Sequence, residues 1–174
     1  MSVVQPISQA QQQQVVAATA DCIQQAAVLL GREFPIIPVY FNLRGRAAGM
    51  YRVKLAQREI RYNPYLFAKY FADNLMNTVP HEVAHYVIDC CYGLRKVRPH
   101  GKEWQQLMVA LGVEPSVTCR YDLSGVPQRR QQRFDYRCDC RTHQLTTIRH
   151  NKVQRGVGSY MCKACRQPLR WEAS

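Results

Sequence analysis

Residues 77–93 run Asn77-Thr78-Val79-Pro80-His81-Glu82-Val83-Ala84-His85-Tyr86-Val87-Ile88-Asp89-Cys90-Cys91-Tyr92-Gly93, and the rest of the chain is organised around His81 to His85. On an α-helix, residues four apart lie one above the other. His81 and His85 can therefore present two imidazoles to one metal ion, with Glu82 reaching over the same ion from the side. This is H-E-x-x-H, the pattern in which two His hold zinc and the Glu is the general base of a hydrolase. The flanks read as helix. Asn77 or Thr78 caps it, Pro80 is tolerated in the first turn, Val83, Ala84, Val87 and Ile88 form an apolar stripe, and Gly93 ends it.

A catalytic zinc takes three protein ligands and keeps a position for water. His100, in Arg98-Pro99-His100-Gly101-Lys102-Glu103-Trp104, is the candidate third ligand, and fourteen residues between it and His85 let the chain turn back. Glu103 is a weaker alternative. For Asp89, a hydrogen bond to a ligand His and a plain solvated carboxylate both stay open. A donor for the oxyanion is expected from Tyr86, Tyr92 or Tyr121. Trp104, with Leu107, Met108 and Leu111, sits at core spacing and reads as packing.

Residues 8–30 read as a helix, because Val15, Thr19, Cys22, Ile23, Ala26, Ala27 and Leu30 recur at three- and four-residue steps before Gly31. Pro35 and Pro38 forbid helix. Residues 39–43, 50–55 and 59–63 then read as three short strands, which predicts a small, mostly antiparallel sheet. Asn63-Pro64 opens a helix to about residue 74, and residues 100–111 form another.

The chain has 174 residues, enough for one core and a small appended module. No apolar run is long enough to span a bilayer, and no basic stretch followed by an apolar one opens the chain, so the expected location is cytoplasmic, with no membrane partner. Eight Cys without an export signal argue against a disulfide framework. Cys22, Cys90, Cys91 and Cys119 read as small buried apolar residues. Net charge is +12, and residues 118–174 hold 12 of the 24 basic but only 4 of the 12 acidic residues. That bias points to a polyanion partner. Arg129, Arg130, Arg133, Arg137, Arg141, Arg149, Lys152 and Arg155 are the candidate phosphate contacts, with Tyr136 and Tyr160 placed to stack on unpaired bases.

The other Cys cluster late, in Tyr136-Arg137-Cys138-Asp139-Cys140-Arg141-Thr142-His143 and Tyr160-Met161-Cys162-Lys163-Ala164-Cys165. Two ligand pairs about twenty residues apart, joined by strand-like sequence, read as a zinc ribbon. Cys138-x-Cys140 is tighter than usual, whereas Cys140-x-x-His143 has ordinary spacing. Either Cys138 or His143 can complete a set with Cys140, Cys162 and Cys165. Four protein ligands leave no place for water, so this site reads as structural.

The chain resembles the SprT-like metalloproteases, the bacterial SprT proteins related to the eukaryotic Spartan proteases. The resemblance rests on Thr78-Val79-Pro80-His81-Glu82-Val83-Ala84-His85, on His100-Gly101-Lys102-Glu103-Trp104-Gln105-Gln106-Leu107-Met108 with Leu111-Gly112-Val113-Glu114-Pro115 after it, and on the two Tyr-x-Cys ribbon halves. It implies His81, His85 and His100 as catalytic zinc ligands, Glu82 as acid/base, and a zinc-binding subdomain. It also implies a task on DNA, since the Spartan branch digests proteins trapped on it.

The expected architecture is α+β. A zincin-like core over residues 1–128 packs the sheet on helices carrying HExxH, and a basic β zinc ribbon spans 129–174. The expected activity is zinc-dependent, DNA-dependent endopeptidase action on DNA-bound or crosslinked proteins, with two zinc ions per chain. DNA, single-stranded or at a junction, and protein substrates are the expected partners of a monomer. The alternative is a nucleic-acid-binding or regulatory zinc protein whose HExxH site is not catalytic.

Overall fold

The computed structural model describes residues 3–93, 96–116, 121–128 and 132–172. The chain divides into two compact units, Met1–Gln128 and Arg129–Ser174. Among the described residues, no helix is long and apolar enough to cross a membrane.

The first unit opens with α1 (Gln9–Leu30). Ser8 accepts from the Gln11 amide while the Gln11 side chain accepts from Ser8 N–H, a capping box that satisfies two end donors. Gly31 closes the helix in the left-handed conformation. Val15, Thr19, Cys22, Ile23 and Ala26 form its buried stripe, whereas Leu30, expected within it, is exposed.

Strands β1 (Val39–Tyr40), β2 (Gly49–Lys54) and β3 (Gln57–Tyr62) form a sheet in the order β1-β3-β2. β2 pairs antiparallel with β3, and the short β1 runs parallel to β3. β1 is shorter than expected, although beyond Tyr40 the Leu43 amide still donates to the Tyr62 carbonyl. Arg61 donates to the side chain and carbonyl of Asn42.

The β2–β3 turn is two residues, Leu55 and Ala56, with φ of 50° and 66°. Two positive φ angles in a two-residue hairpin are what Asn-Gly supplies without strain. Ala56 is exposed and keeps its Cβ in that region. Ala56→Gly is expected to stabilise the first unit by about 0.5–1 kcal/mol, measured by denaturant unfolding, after the greater freedom of Gly in the unfolded chain is subtracted. An unchanged or lower midpoint would contradict this.

Asn63 caps α2 (Pro64–Lys69), which ends at Tyr70 instead of continuing to residue 74. A short α3 (Phe71–Asp73) and a π-helical turn (Asn74–Thr78) lead straight into α4 (Val79–Tyr92). The expected cap at Asn77 or Thr78 is therefore absent, since both are already helical. Asn77 donates instead to Asp73, and Thr78 to Asn74. Buried Asn74 gives its amide hydrogens to the carbonyls of Leu66 and Tyr70, which stitches the broken helix together. The next helix, α5 (Lys102–Ala110), begins after His100, which lies in the preceding loop. One face of α4 is almost dry, with Val83, Ala84 and Val87 at 0% exposure, so the helix is a rigid floor packed between α1, α5 and β2.

The second unit holds β4 (Arg133–Arg137), β5 (Thr142–Thr146), α6 (Thr147–Gln154) and β6 (Arg170–Trp171), with an antiparallel sheet ordered β5-β4-β6. α6 occupies sequence that reads as strand. It forms because its His150 finds a buried place, stacked on Phe134 at 3.7 Å and hydrogen-bonded to Tyr136 Oη at 3.1 Å.

Candidate metal centres

His81 and His85 stand one turn apart on α4, and the loop before α5 brings His100 to meet them. Their Nε2 atoms lie 3.2 Å (His81–His85), 3.0 Å (His85–His100) and 3.1 Å (His81–His100) apart. His100 reaches this place with φ of 57°, a strained conformation outside Gly. Gly101 beside it is tight for space, since a Cβ there would lie 2.9 Å from the Arg98 carbonyl oxygen.

Burial first, and then the neighbouring imidazoles, keep these rings neutral. His81 is lowered to about 4 by burial and His100, against a backbone hydrogen bond at Ser116. His85 is lowered to about 3 by burial, His81 and His100, and His100 is lowered by burial. Three neutral imidazoles thus aim Nε2 at one point, where their lone pairs repel unless a cation sits between them. Zinc–nitrogen bonds of about 2.0–2.1 Å in tetrahedral geometry separate nitrogens by roughly 3.3 Å, so the residues present fit a metal ion. Trp104, 1% exposed, lies against all three rings with centroids at 4.7–5.6 Å, and its Nε1 donates to the His81 carbonyl. It is core packing, as its spacing implies, and also the wall that sets the imidazole orientations.

Glu82 is 6% exposed. Burial pushes its carboxyl up to about 7, opposed by the Tyr51 amide, which donates to Oε2 at 2.6 Å. β2 lies close over α4 here, and a Cβ on Gly49 would come within 2.6 Å of Glu82 Cγ. Tyr51 also donates through Oη to Asp89 Oδ2 at 2.6 Å, where Arg58 Nε donates at 2.7 Å. Asp89 is buried in this pair, so it is not the solvated carboxylate that was one expectation. A cleft of about 610 Å³ opens beside the cluster, lined by Arg46, Gly49, His81, Glu82, Glu114 and Tyr121 among others. Of the three candidate oxyanion donors, Tyr86 is removed, since it is buried with its hydroxyl on the Pro35 carbonyl. Tyr121 lines the cleft, its hydroxyl hydrogen-bonded at Asp73 and Asn74.

In the second unit, Cys138, Cys140, Cys162 and Cys165 converge with all four sulfurs within 4.8 Å of one another. Cys138 Sγ lies 3.4 Å from Cys140 Sγ and 3.3 Å from His143 Nε2, and Cys140 Sγ lies 3.7 Å from Cys162 Sγ. Zinc–sulfur bonds of about 2.3 Å place tetrahedral sulfurs roughly 3.8 Å apart, so this group also fits an ion. The Cys165 amide, then the Ala164 amide against desolvation, pull the Cys162 thiol down to about 5, as a thiolate ligand needs.

Residues 19–124 match the model of the SprT-like family. Over 87% of its length the chain is 42% identical to "Protein SprT" of Vibrio parahaemolyticus, covering 88% of that protein. It is 38% identical to "Protein SprT" of Pasteurella multocida over 90% of the chain and 91% of that protein. The figures for "Protein SprT" of Shewanella oneidensis are 38%, 91% and 97%. The chain belongs to the SprT-like family. No solved structure matches it. In this SprT-like chain the three imidazoles and Glu82 fall inside the family match, and the Cys cluster falls beyond its end.

The basic residues of the second unit divide. Arg129 and Arg130 lie outside the described residues, as does Cys119. Arg133, Arg137, Arg149, Lys152 and Arg155 are exposed, with Arg137 loosely paired to Glu172 at 3.4 Å. Arg141 is exposed as well, and the Cys162 and then the Cys140 sulfur beside its guanidinium raise its pKa. Tyr136 is fully buried and cannot stack on a base, while Tyr160 lies half-buried under Arg149. Trp171, 45% exposed on β6, is the aromatic that sequence reasoning missed. Gly49 and Tyr51 were missed as well. A Gly opening a strand does signal close approach of another group, but not which one.

Proposed function

We propose that this SprT-like protein is a zinc-dependent endopeptidase, made DNA-dependent by its basic C-terminal unit, that cleaves DNA-bound or DNA-crosslinked proteins. The carrying observation is the convergence of three neutral imidazole nitrogens beside a buried, amide-held carboxylate at the edge of an open cleft. His81, His85 and His100 would hold the catalytic zinc, and four of Cys138, Cys140, His143, Cys162 and Cys165 the structural one. Bound zinc supplies Lewis acidity and lowers the pKa of water toward about 7.

The chain supplies the rest. Glu82, a buried carboxylate held by the Tyr51 amide, takes a proton from the attacking water and passes it to the amine as the C–N bond breaks. Trp104, packed against all three rings, keeps the imidazoles aimed. Support for the DNA partner comes from the +12 net charge and the exposed Arg133, Arg137, Arg149, Lys152 and Arg155.

The test uses a DNA-crosslinked protein substrate, the purified chain, and a chelator. Cleavage is expected with DNA and metal, lost on chelation, restored by added zinc, and at least about tenfold slower without DNA. Substrate left intact under every condition would overturn the endopeptidase reading and favour a zinc module that only binds.

A further inference from the structure

Four cysteine sulfurs converge within 4.8 Å of one another, and His143 Nε2, 3.3 Å from Cys138 Sγ, is a fifth donor beside a site where zinc takes four. Cys138 and Cys162 are sealed at 5% and 1% exposure, Cys165 is half-buried, and Cys140 is exposed. The Cys138 amide donates to the Arg141 carbonyl, which closes a tight turn and leaves Asp139 and Cys140 at its solvent-facing tip. His143 stands on β5 instead, held opposite Tyr136 by the ladder with β4. Its Nε2 is as close to Cys138 Sγ, at 3.3 Å, as Cys140 Sγ is, at 3.4 Å. The strand therefore presents the imidazole whether or not Cys140 is in place.

We propose that His143 takes the corner of Cys140, so that the structural ion stays bound while the Cys140 thiol becomes free for modification by soft electrophiles. The inference rests on the reading of this cluster as a zinc site. Charge favours the exchange being easy. Four thiolates around a divalent ion leave two negative charges beside one Arg141 guanidinium, and a neutral imidazole in place of Cys140 leaves one. Zinc has no directional preference from its d-electrons, so three sulfurs and a nitrogen suit it as well as four sulfurs.

The experiment uses the full chain loaded with Zn²⁺, and with Co²⁺ as an optical probe. Cys140→Ser and His143→Ala are each expected to keep the second ion with affinity within about tenfold of the parent, by chelator competition. The double variant is expected to lose about a hundredfold or more, as is Cys162→Ser. Cobalt-loaded Cys140→Ser should show the bands of three sulfurs and one nitrogen, and His143→Ala those of four sulfurs. In the unaltered protein, iodoacetamide should alkylate Cys140 first with zinc retained: the sulfur bonds the methylene carbon, iodide leaves, and any thiol proton goes to solvent. That arm needs no variant and stands if the double variant fails to fold. Cys140→Ser losing the ion as fully as Cys162→Ser, a folded double variant keeping it, or zinc release on alkylation of Cys140 would each overturn the exchange. A parent chain with no second ion overturns the zinc reading itself.

Discussion

Glu82→Gln is expected to lower kcat for protein cleavage by about 10²–10⁴-fold while both ions remain bound. The substitution keeps the shape of the side chain. The Tyr51 N–H at 2.6 Å needs only an acceptor, and the amide oxygen of Gln is one. What disappears is the group that accepts a proton from water and returns it to the leaving amine. Stability should not fall, because the carboxyl it replaces is 6% exposed and held up near 7 by the cost of ionising there. The measurements are cleavage kinetics, metal content and a thermal melt on the same preparation. Cleavage within tenfold of the parent, with metal intact, would remove Glu82 from the mechanism.

The second large effect is expected from a residue with no chemistry of its own. Gly49→Ala places a Cβ 2.6 Å from Glu82 Cγ, 2.7 Å from its Oε1 and 2.8 Å from Thr78 Cγ2. Gly49 does not have a positive φ, so space and not backbone torsion demands the glycine. Thr78, ending the π-helical turn, and Glu82, in the first turn of α4, are both buried, so neither yields easily. Either β2 lifts from α4 and the Tyr51 amide loses its carboxylate, or the carboxylate swings away from the imidazoles. A displacement of about 1 Å at such a group costs roughly 10²-fold in rate, and overpacking costs about 1–3 kcal/mol in stability. Loss of kcat with retained metal is the expected result. Parental activity together with a normal melt would show that β2 does not position Glu82.

Much of the site can be read without coordinates. The four-residue step from His81 to His85 is fixed by helix geometry, and the apolar stripe at Val83, Ala84 and Val87 is buried as its spacing requires. The third imidazole was legible as a residue type at a workable distance. Its geometry was not, since α5 starts only at Lys102 and His100 sits before it at a positive φ. The helix break at Tyr70 and the π-helical turn were hidden for a similar reason. Local propensity reads 64–74 as one helix, while buried Asn74 bonding back to Leu66 and Tyr70 decides otherwise. The same holds for α6, which follows strand-like sequence and turns to helix where His150 stacks on Phe134.

The amino-acid order alone determined which groups could touch a metal, because ligand type and helical period are local properties of the chain. It also determined the charge of the C-terminal unit, which is a matter of composition. Only the tertiary structure decided that a strand from residues 49–51 would lie over the helix and hold Glu82 by a backbone amide, and that Trp104 would wall in the imidazoles. The hydrogen bonds among those contacts, Tyr51 to Glu82 and Trp104 to His81, join residues 31 and 23 positions apart. No periodicity encodes them, since they depend on how close two packed elements come, and that is set by the volumes of all the side chains between them.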